Sequence, residues 1–381
     1  MTEPALRLTR LLLSAFRSYE KLAWHPARQL NVIHGPNGSG KTNLLEAISL
    51  LTPGRGLRGA RIADLPRTGS AAWAVAGRLA VPGGEVDIGT GTPPDGPPER
   101  RVFRLDGTAP RNHADVAQRI AAVWLTPQMD RLFQDGLSGR RRFLDRLVYA
   151  VEPGHAREVA AYETAMASRN RLLGEGRGDP VWLAGIEEQM ARHAVAATVA
   201  RATLVARLNA ALADGVAGAF PAARMTLICP LATRLEEAPA LAVEDWLRGA
   251  LGAGRGRDAA AGSAALGAHR ADMALADAAS GQDAARASTG QQKALLIAVI
   301  LGHAALLTAA RGFGPLLLLD EPAVHLDTDR RAALFAALAA LPAQAFLTGT
   351  DGDIFAPLAG VAGFWRSGGG GLIEDPAFPA R

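Results

Sequence analysis

Eight consecutive residues, Gly35-Pro36-Asn37-Gly38-Ser39-Gly40-Lys41-Thr42, constrain this chain more than any bulk property does. They match G-x-x-x-x-G-K-T, a pattern that works only where a strand ends, a glycine-rich turn wraps phosphates and a helix begins. The flanks supply both partners: Asn31-Val32-Ile33-His34 reads as the strand, and Asn43-Leu44-Leu45-Glu46-Ala47-Ile48 opens the helix. Backbone N–H groups of Asn37 to Lys41, together with the helix N-terminus, form a cradle for anionic oxygens. Lys41 is expected to bridge the β- and γ-phosphates of ATP, and the Thr42 hydroxyl to ligate Mg²⁺. The chain has only three lysines, Lys21, Lys41 and Lys293, among many arginines. A slim ammonium therefore stands where a planar guanidinium would fit poorly between phosphates. An α/β fold follows from this one segment.

Two later segments add a reaction. Residues 316–319 are all leucine, as in a strand of a parallel sheet covered on both faces, and they lead into Asp320-Glu321-Pro322. Asp320 is expected to hold Mg²⁺ through water, and Glu321 to polarise the attacking water. Ser288-Thr289-Gly290-Gln291-Gln292-Lys293, followed by a long apolar run, resembles the signature motif of ABC-type ATPases. In that architecture the signature closes over ATP held by a second subunit. Ser288, Gly290 and Gln291 are thus expected to meet the γ-phosphate of a partner, which implies an ATP-dependent homodimer. Asp327, in His325-Leu326-Asp327, would sit at the dimer seam as the D-loop residue, and Gln128, in Leu125-Thr126-Pro127-Gln128, is a candidate Mg²⁺-sensing Q-loop residue.

A length of 381 residues predicts two lobes, and 49% apolar with 20% charged residues is an ordinary globular balance. The net charge is only +4, so any affinity for nucleic acid must come from local clusters. Three are visible: Arg55, Arg58 and Arg61; Arg100, Arg101 and Arg104; and Arg140, Arg141 and Arg142. The best DNA-contact candidates are Arg55, Arg58, Arg61, Arg140 and Arg141. One cysteine, Cys229, excludes an internal disulfide framework and suits a reducing cytoplasm. Glu3, Arg7 and Arg10 surround a short leucine run, which is too charged for a signal peptide. Residues 294–310 approach membrane-span length, yet Gly302 and His303 interrupt them directly after the signature, so a buried helix is expected and no membrane.

Strands are expected at 6–13, 22–34, 71–81, 101–106 and 345–348, and a helix at 328–341. Residues 82–98 and 252–262 read as loops, because glycine and proline break both periods. Residues 154–219 turn helical with one interruption at 174–180, which suggests a two-helix arm. The expected division is an ATPase lobe I from 1–120 and 286–381, a mixed sheet with helices, and a helical lobe II over 121–285.

Four segments together resemble the RecF family of the ABC/SMC-like ATPase superfamily: 35–48, Ala15-Phe16-Arg17-Ser18-Tyr19, Arg140-Arg141-Arg142-Phe143-Leu144-Asp145 and 288–293. The resemblance runs from residue 6 to about residue 350. It implies a bacterial recombination mediator that dimerises on ATP and binds double-stranded and gapped DNA. It further implies work with RecR and RecO to load RecA, and slow hydrolysis that releases the dimer. By the same resemblance the ATP contacts include Gly35 through Asn43, Arg17 and Gln128. Departures are Gly267-Ala268-His269-Arg270-Ala271-Asp272, with one carboxylate fewer than the family's stretch, and Val324-His325 before the D-loop. Thr348-Gly349-Thr350 stands where transporter ATPases place a switch histidine, which argues against a transporter subunit. An overcoming-lysogenisation nuclease would need an acidic domain for which 349–381 is too short, and an SMC rod needs a far longer arm. A nucleotide-gated scaffold with a dead site is disfavoured by Lys41, Asp320 and Glu321.

Overall fold

The computed structural model describes residues 6–26, 28–93, 96–97, 99–176 and 178–378. Glu3 of the opening segment and Pro94, Asp95 and Pro98 of the expected 82–98 loop lie outside the described residues. The chain divides into two units. Unit 1 holds residues up to 130, 211–222 and 288 onward, and unit 2 holds 131–210 and 223–287.

Unit 1 contains two sheets. The first is antiparallel, in the order β2-β1-β4-β5-β6, from β1 (Arg7–Phe16), β2 (Tyr19–Trp24), β4 (Ala74–Val81), β5 (Gly84–Gly91) and β6 (Val102–Leu105). The second has the order β13-β12-β3-β11-β10-β7, from β3 (Leu30–His34), β7 (Ala122–Leu125), β10 (Leu316–Leu319), β11 (Ala345–Gly349), β12 (Ala362–Gly368) and β13 (Gly371–Glu374). All its pairings are parallel except β12 with β13. Its helices are α1 (Lys41–Ser49), α2 (His113–Arg119), α9 (Thr289–Arg311) and α10 (Thr328–Ala340). Strands β3, β10 and β11 are buried along their whole length, which explains the all-leucine run of β10 and the mostly apolar β3 and β11. Leu44, Leu45 and Ile48 of α1 pack with Leu11, Phe16 and Trp73 in one core, so the phosphate-loop helix is clamped by the first sheet. Buried Gln344 stitches the sheets polar group to polar group. Its Oε1 accepts from the N–H of Leu8 at 2.7 Å, and its amide donates to the carbonyls of Leu8, Pro26 and Arg28.

Unit 2 is helical: α3 (Leu137–Val151), α4 (His155–Gly174), most of α5 (Pro180–Ala213), α6 (Pro230–Glu237), α7 (Ala240–Ala253) and α8 (Arg255–Ala261), with a two-stranded ribbon of β8 (Ala223–Ile228) and β9 (Asp272–Asp277). Fully buried Arg169 of α4 ties three elements together. It donates to Glu187 at 2.9 Å, Asp258 at 2.8 Å and the carbonyl of Leu251 at 2.7 Å.

Four expectations need correction. Residues 22–34 are two strands in different sheets; Pro26, which fixes φ and lacks an N–H, lies between them. Within the expected 82–98 loop, Val86, Ile88 and Thr90 alternate inward and build β5, and a Gly83-Gly84 turn at positive φ returns the chain from β4. Residues 252–262 end α7 and form α8, since alanine and arginine propensity outweighs scattered glycines that cost about 1 kcal/mol each. The first lobe runs past 120, because β7 pairs with β10 in its second sheet.

Among the described residues two helices are long and apolar enough to cross a membrane, α5 and α9. The most apolar stretch of α9 is 72% buried within the fold, as a core helix is. α5 carries the charged, buried Arg201, which is bonded to Asp145.

Candidate nucleotide site

The parallel sheet delivers β3 to its edge at His34, and the chain turns through 35–40 into α1. Two glycines make the turn possible. Gly35 has φ +144°, and a Cβ there would lie 2.5 Å from the carbonyl oxygen of Ser367. Gly40 has φ +105°, and its Cβ would press on Ser18 Oγ at 2.8 Å and Tyr19 Oη at 3.0 Å. No side chain caps the N-terminus of α1, so its first N–H groups remain available to an anion. The buried Ser39 Oγ has no hydrogen-bond partner among the described residues. The Lys41 ammonium rests on the carbonyls of Gly35 at 2.7 Å and Pro36 at 2.9 Å. Burial lowers the Lys41 pKa, while Glu321 and Asp320 act to raise it. Pro36, Asn37 and Gly38 form the exposed tip of the loop. An uncapped helix end, an orphaned hydroxyl and a lysine parked on its own loop fit a polyphosphate.

The opening segment buttresses this loop. Tyr19 Oη donates to the Gly40 carbonyl at 3.1 Å, and Asn43 Nδ2 donates to Ser18 Oγ at 2.9 Å. Burial pushes the Tyr19 phenol up to about 12, so it remains a neutral donor. Arg17, a candidate nucleotide contact, places its guanidinium on fully buried Glu46 of α1 through two 2.8 Å bonds and also donates to the Asp64 carbonyl. These bonds tie it to α1 with a fifth of its side chain still exposed.

Asp320 sits at the end of β10, where its N–H donates to the Leu125 carbonyl. Its Oδ1 accepts from Thr42 Oγ1 at 3.1 Å and from Thr348 Oγ1 at 2.7 Å. Thr348 Oγ1 also accepts from the N–H of Glu321 at 3.0 Å. Glu321 has φ +52°, a region that costs a non-glycine residue about 1–3 kcal/mol and persists only when its surroundings enforce it. The oxygens of Thr42 and Asp320 are hard ligands of the kind Mg²⁺ takes in ones and twos beside phosphate and water. Among the described residues no group of three or more His, Cys, Asp or Glu side chains could hold a metal alone.

Ser288 caps α9 in a capping box: Gln291 N–H donates to Ser288 Oγ at 3.3 Å, and Ser288 N–H donates to Gln291 Oε1 at 3.0 Å. Gly290 is required by contact, since a Cβ would lie 2.9 Å from the His325 carbonyl oxygen. Asp327 is exposed and caps α10 by accepting from Arg330 N–H at 2.8 Å. Gln128 is exposed on a single 3-10 turn, Pro127–Arg131, which follows β7. Because Leu125 pairs in register with Leu319, that turn starts beside Asp320.

The arginine candidates separate. Arg55 and Arg61 are exposed, and among the described residues Arg61 pairs with neighbouring Asp64. Arg58 donates to Asn43 Oδ1 and Glu46 while keeping a third of its side chain exposed. Arg140 and Arg141 do not present free charge. Arg140 forms a bidentate pair with Asp272 at 2.6 and 3.0 Å, and half-buried Arg141, its pKa lowered by burial, donates to the Ala271 carbonyl. The two segments 140–145 and 267–272 therefore meet as an internal brace of unit 2. Asp145 continues that brace by accepting from Arg201 at 2.7 and 2.8 Å.

The RecF/RecN/SMC N-terminal domain model matches residues 7–360. Two curated proteins named DNA replication and repair protein RecF are close in sequence. That of Mesorhizobium japonicum is 48% identical over 361 residues, covering 94% of this chain and 95% of the relative. That of Agrobacterium fabrum is 47% identical over 369 residues, covering 96% and 98%. Among solved structures, the recombination mediator RecF-ATPrS of the RecFOR pathway superposes with TM-score 0.84 at 21% identity, covering 98% of both chains. An Smc head domain of Pyrococcus furiosus bound to the ScpA C-terminal domain follows at TM-score 0.54 and 15% identity. At these identities the structures establish a shared fold, the ATPase head of RecF and SMC proteins. The family model and the near full-length sequence relatives place this chain in the RecF family of DNA replication and repair proteins.

Proposed function

We propose that this chain is an ATPase that dimerises on ATP, holds double-stranded or gapped DNA, and assists RecR and RecO in loading RecA, in the cytoplasm. One observation carries the reading. The phosphate loop, Asp320 and Glu321 converge in unit 1, whereas exposed Ser288 and half-buried Gln291 are bonded to each other, with no bond to their own loop among the described residues. A signature so placed is useful only to a second copy. When bound, Mg²⁺ would be held by Thr42 and Asp320 and would neutralise charge on the phosphates. Lys41 would leave the carbonyls of Gly35 and Pro36 for phosphate oxygens, and the N–H groups of 37–43 would bind the rest. The Glu321 carboxylate would take the proton of the attacking water. Ser288, Gly290 and Gln291 of one subunit would complete the site of the other, with Asp327 at the seam and Gln128 beside the metal. Exposed Arg55, Arg58 and Arg61 would meet DNA phosphates, which makes binding salt-sensitive. Turnover is expected to be slow, with hydrolysis opening the dimer.

The test is the light-scattering mass of the Glu321→Gln protein with and without Mg-ATP, repeated with a gapped duplex. A dimer that requires ATP and retains DNA supports the reading. A monomer under all conditions refutes the in-trans signature.

A further inference from the structure

We propose that Lys293 is a positioning residue that ties the signature end of α9 to the catalytic backbone of its own subunit, so that engaging a partner's nucleotide is reported to Glu321. The inference rests on the signature reading above and adds the route of communication.

Lys293 lies five residues after Ser288 and is 1% exposed. Its ammonium donates to the carbonyl oxygen of Glu321 at 2.9 Å and faces the Asp130 carboxylate at 3.5 Å. Glu321 is a left-handed residue of the site, and each of its peptide polar groups is bonded to a side chain from outside its own segment. Thr348 Oγ1 takes the N–H and Lys293 takes the C=O. A non-glycine residue keeps such a conformation only while its neighbours impose it. The C=O also accepts a longer 3.3 Å bond from the Val324 N–H within the loop, so removing Lys293 leaves it only that local contact.

The other ends of the contact matter equally. Asp130 lies two residues after Gln128 on the 3-10 turn Pro127–Arg131, so the ammonium also touches the segment expected to sense the metal. Gly290 packs under the carbonyl of His325, itself at φ +64°. The signature turn thus presses on the 321–325 loop at two points, Gly290 at one end and Lys293 at the other. A shift of the α9 N-terminus cannot leave that loop unchanged, because the contacts are short and enclosed. Lysine suits this position because a compact ammonium can donate to a carbonyl and a carboxylate from one atom, whereas a guanidinium spreads its donors over a plane. Burial draws the Lys293 pKa down and raises that of Asp130, with their mutual attraction opposing both shifts, as expected of groups enclosed together.

The test compares Lys293→Met, Asp130→Asn and the double variant with wild type. Readouts are ATP affinity by titration of a fluorescent nucleotide, ATP-dependent dimerisation by light scattering, and kcat. Lys293→Met should keep ATP affinity and dimerisation within about 3-fold while kcat falls about tenfold or more, a loss confined to the chemical step. Asp130→Asn keeps the bond to Glu321 and should lower kcat by roughly 3-fold, with the double variant no worse than Lys293→Met alone. A Lys293→Met kcat within about 2-fold of wild type overturns the proposal, as does a loss of ATP binding in step with kcat, which marks a packing role. If Lys293→Met does not fold, Asp130→Asn decides: an unchanged kcat overturns the proposal. Wild type that hydrolyses ATP without dimerising would instead overturn the in-trans signature reading, and the effect of Lys293→Met on kcat would still be measured.

Discussion

Replacing Thr348 by valine tests the site as built. The two side chains have nearly the same shape, so no cavity opens, but the hydroxyl is lost. That hydroxyl donates to Asp320 at 2.7 Å and accepts from the Glu321 N–H at 3.0 Å, in a position with 0% exposure. A bond to a charged acceptor contributes about 1.5–3 kcal/mol, and a stranded buried N–H costs about 1–3 kcal/mol. If only the carboxylate bond is felt in the transition state, kcat/KM falls roughly 10- to 150-fold. Thr348→Ser is the control, since it keeps the hydroxyl and loses one methyl, about 0.8 kcal/mol of burial. The assay is steady-state phosphate release with saturating Mg²⁺, accompanied by thermal scans of both variants. If valine and serine variants hydrolyse ATP equally well, Thr348 does not organise Asp320 and Glu321, and the reasoning fails.

Ser288→Arg should abolish the ATP-dependent dimer while nucleotide titration finds the monomer still binding ATP within about 3-fold; loss of binding would count against the in-trans assignment. Tyr19 supplies a pH dependence. Its pKa is raised in the folded protein from 10.0 to about 12, so the protonated phenol is favoured by folding. Its contribution is complete below pH 10 and is lost as pH rises toward 12. Chemical denaturation from pH 8 upward should therefore find the wild-type advantage over Tyr19→Phe shrinking through that window, and a constant difference would refute the assignment. Arg61→Ala should weaken DNA binding and reduce its salt slope by about one counterion, measured by anisotropy across a salt series. Arg140→Ala should leave that slope unchanged and lower the melting temperature instead, because it leaves Asp272 without its bidentate partner.

The phosphate loop, the leucine strand with Asp320-Glu321, and the signature were legible because each is contiguous. Local backbone conformation, glycine geometry and helix capping are set within a few residues, so sequence alone determined an α/β ATPase head and the order of its parts. It did not reveal β5, because Pro82-Gly83-Gly84 and the proline-rich stretch from Thr92 read as one loop until β4 supplied a partner for Val86 and Ile88. It could not assign the arginines either. Arg140, a candidate DNA contact, finds Asp272 at a separation of 132 residues. Arg17 holds Glu46 at a separation of 29 residues. A charge in a sequence carries no information on whether a distant carboxylate will neutralise it. The same holds for Thr348 and Lys293, which lie 28 residues after Asp320 and 28 before Glu321 respectively and meet them only through the strand order of the parallel sheet and the packing of α9. Local rules fixed which chemistry the chain carries; long-range packing decided which side chains hold that chemistry in place.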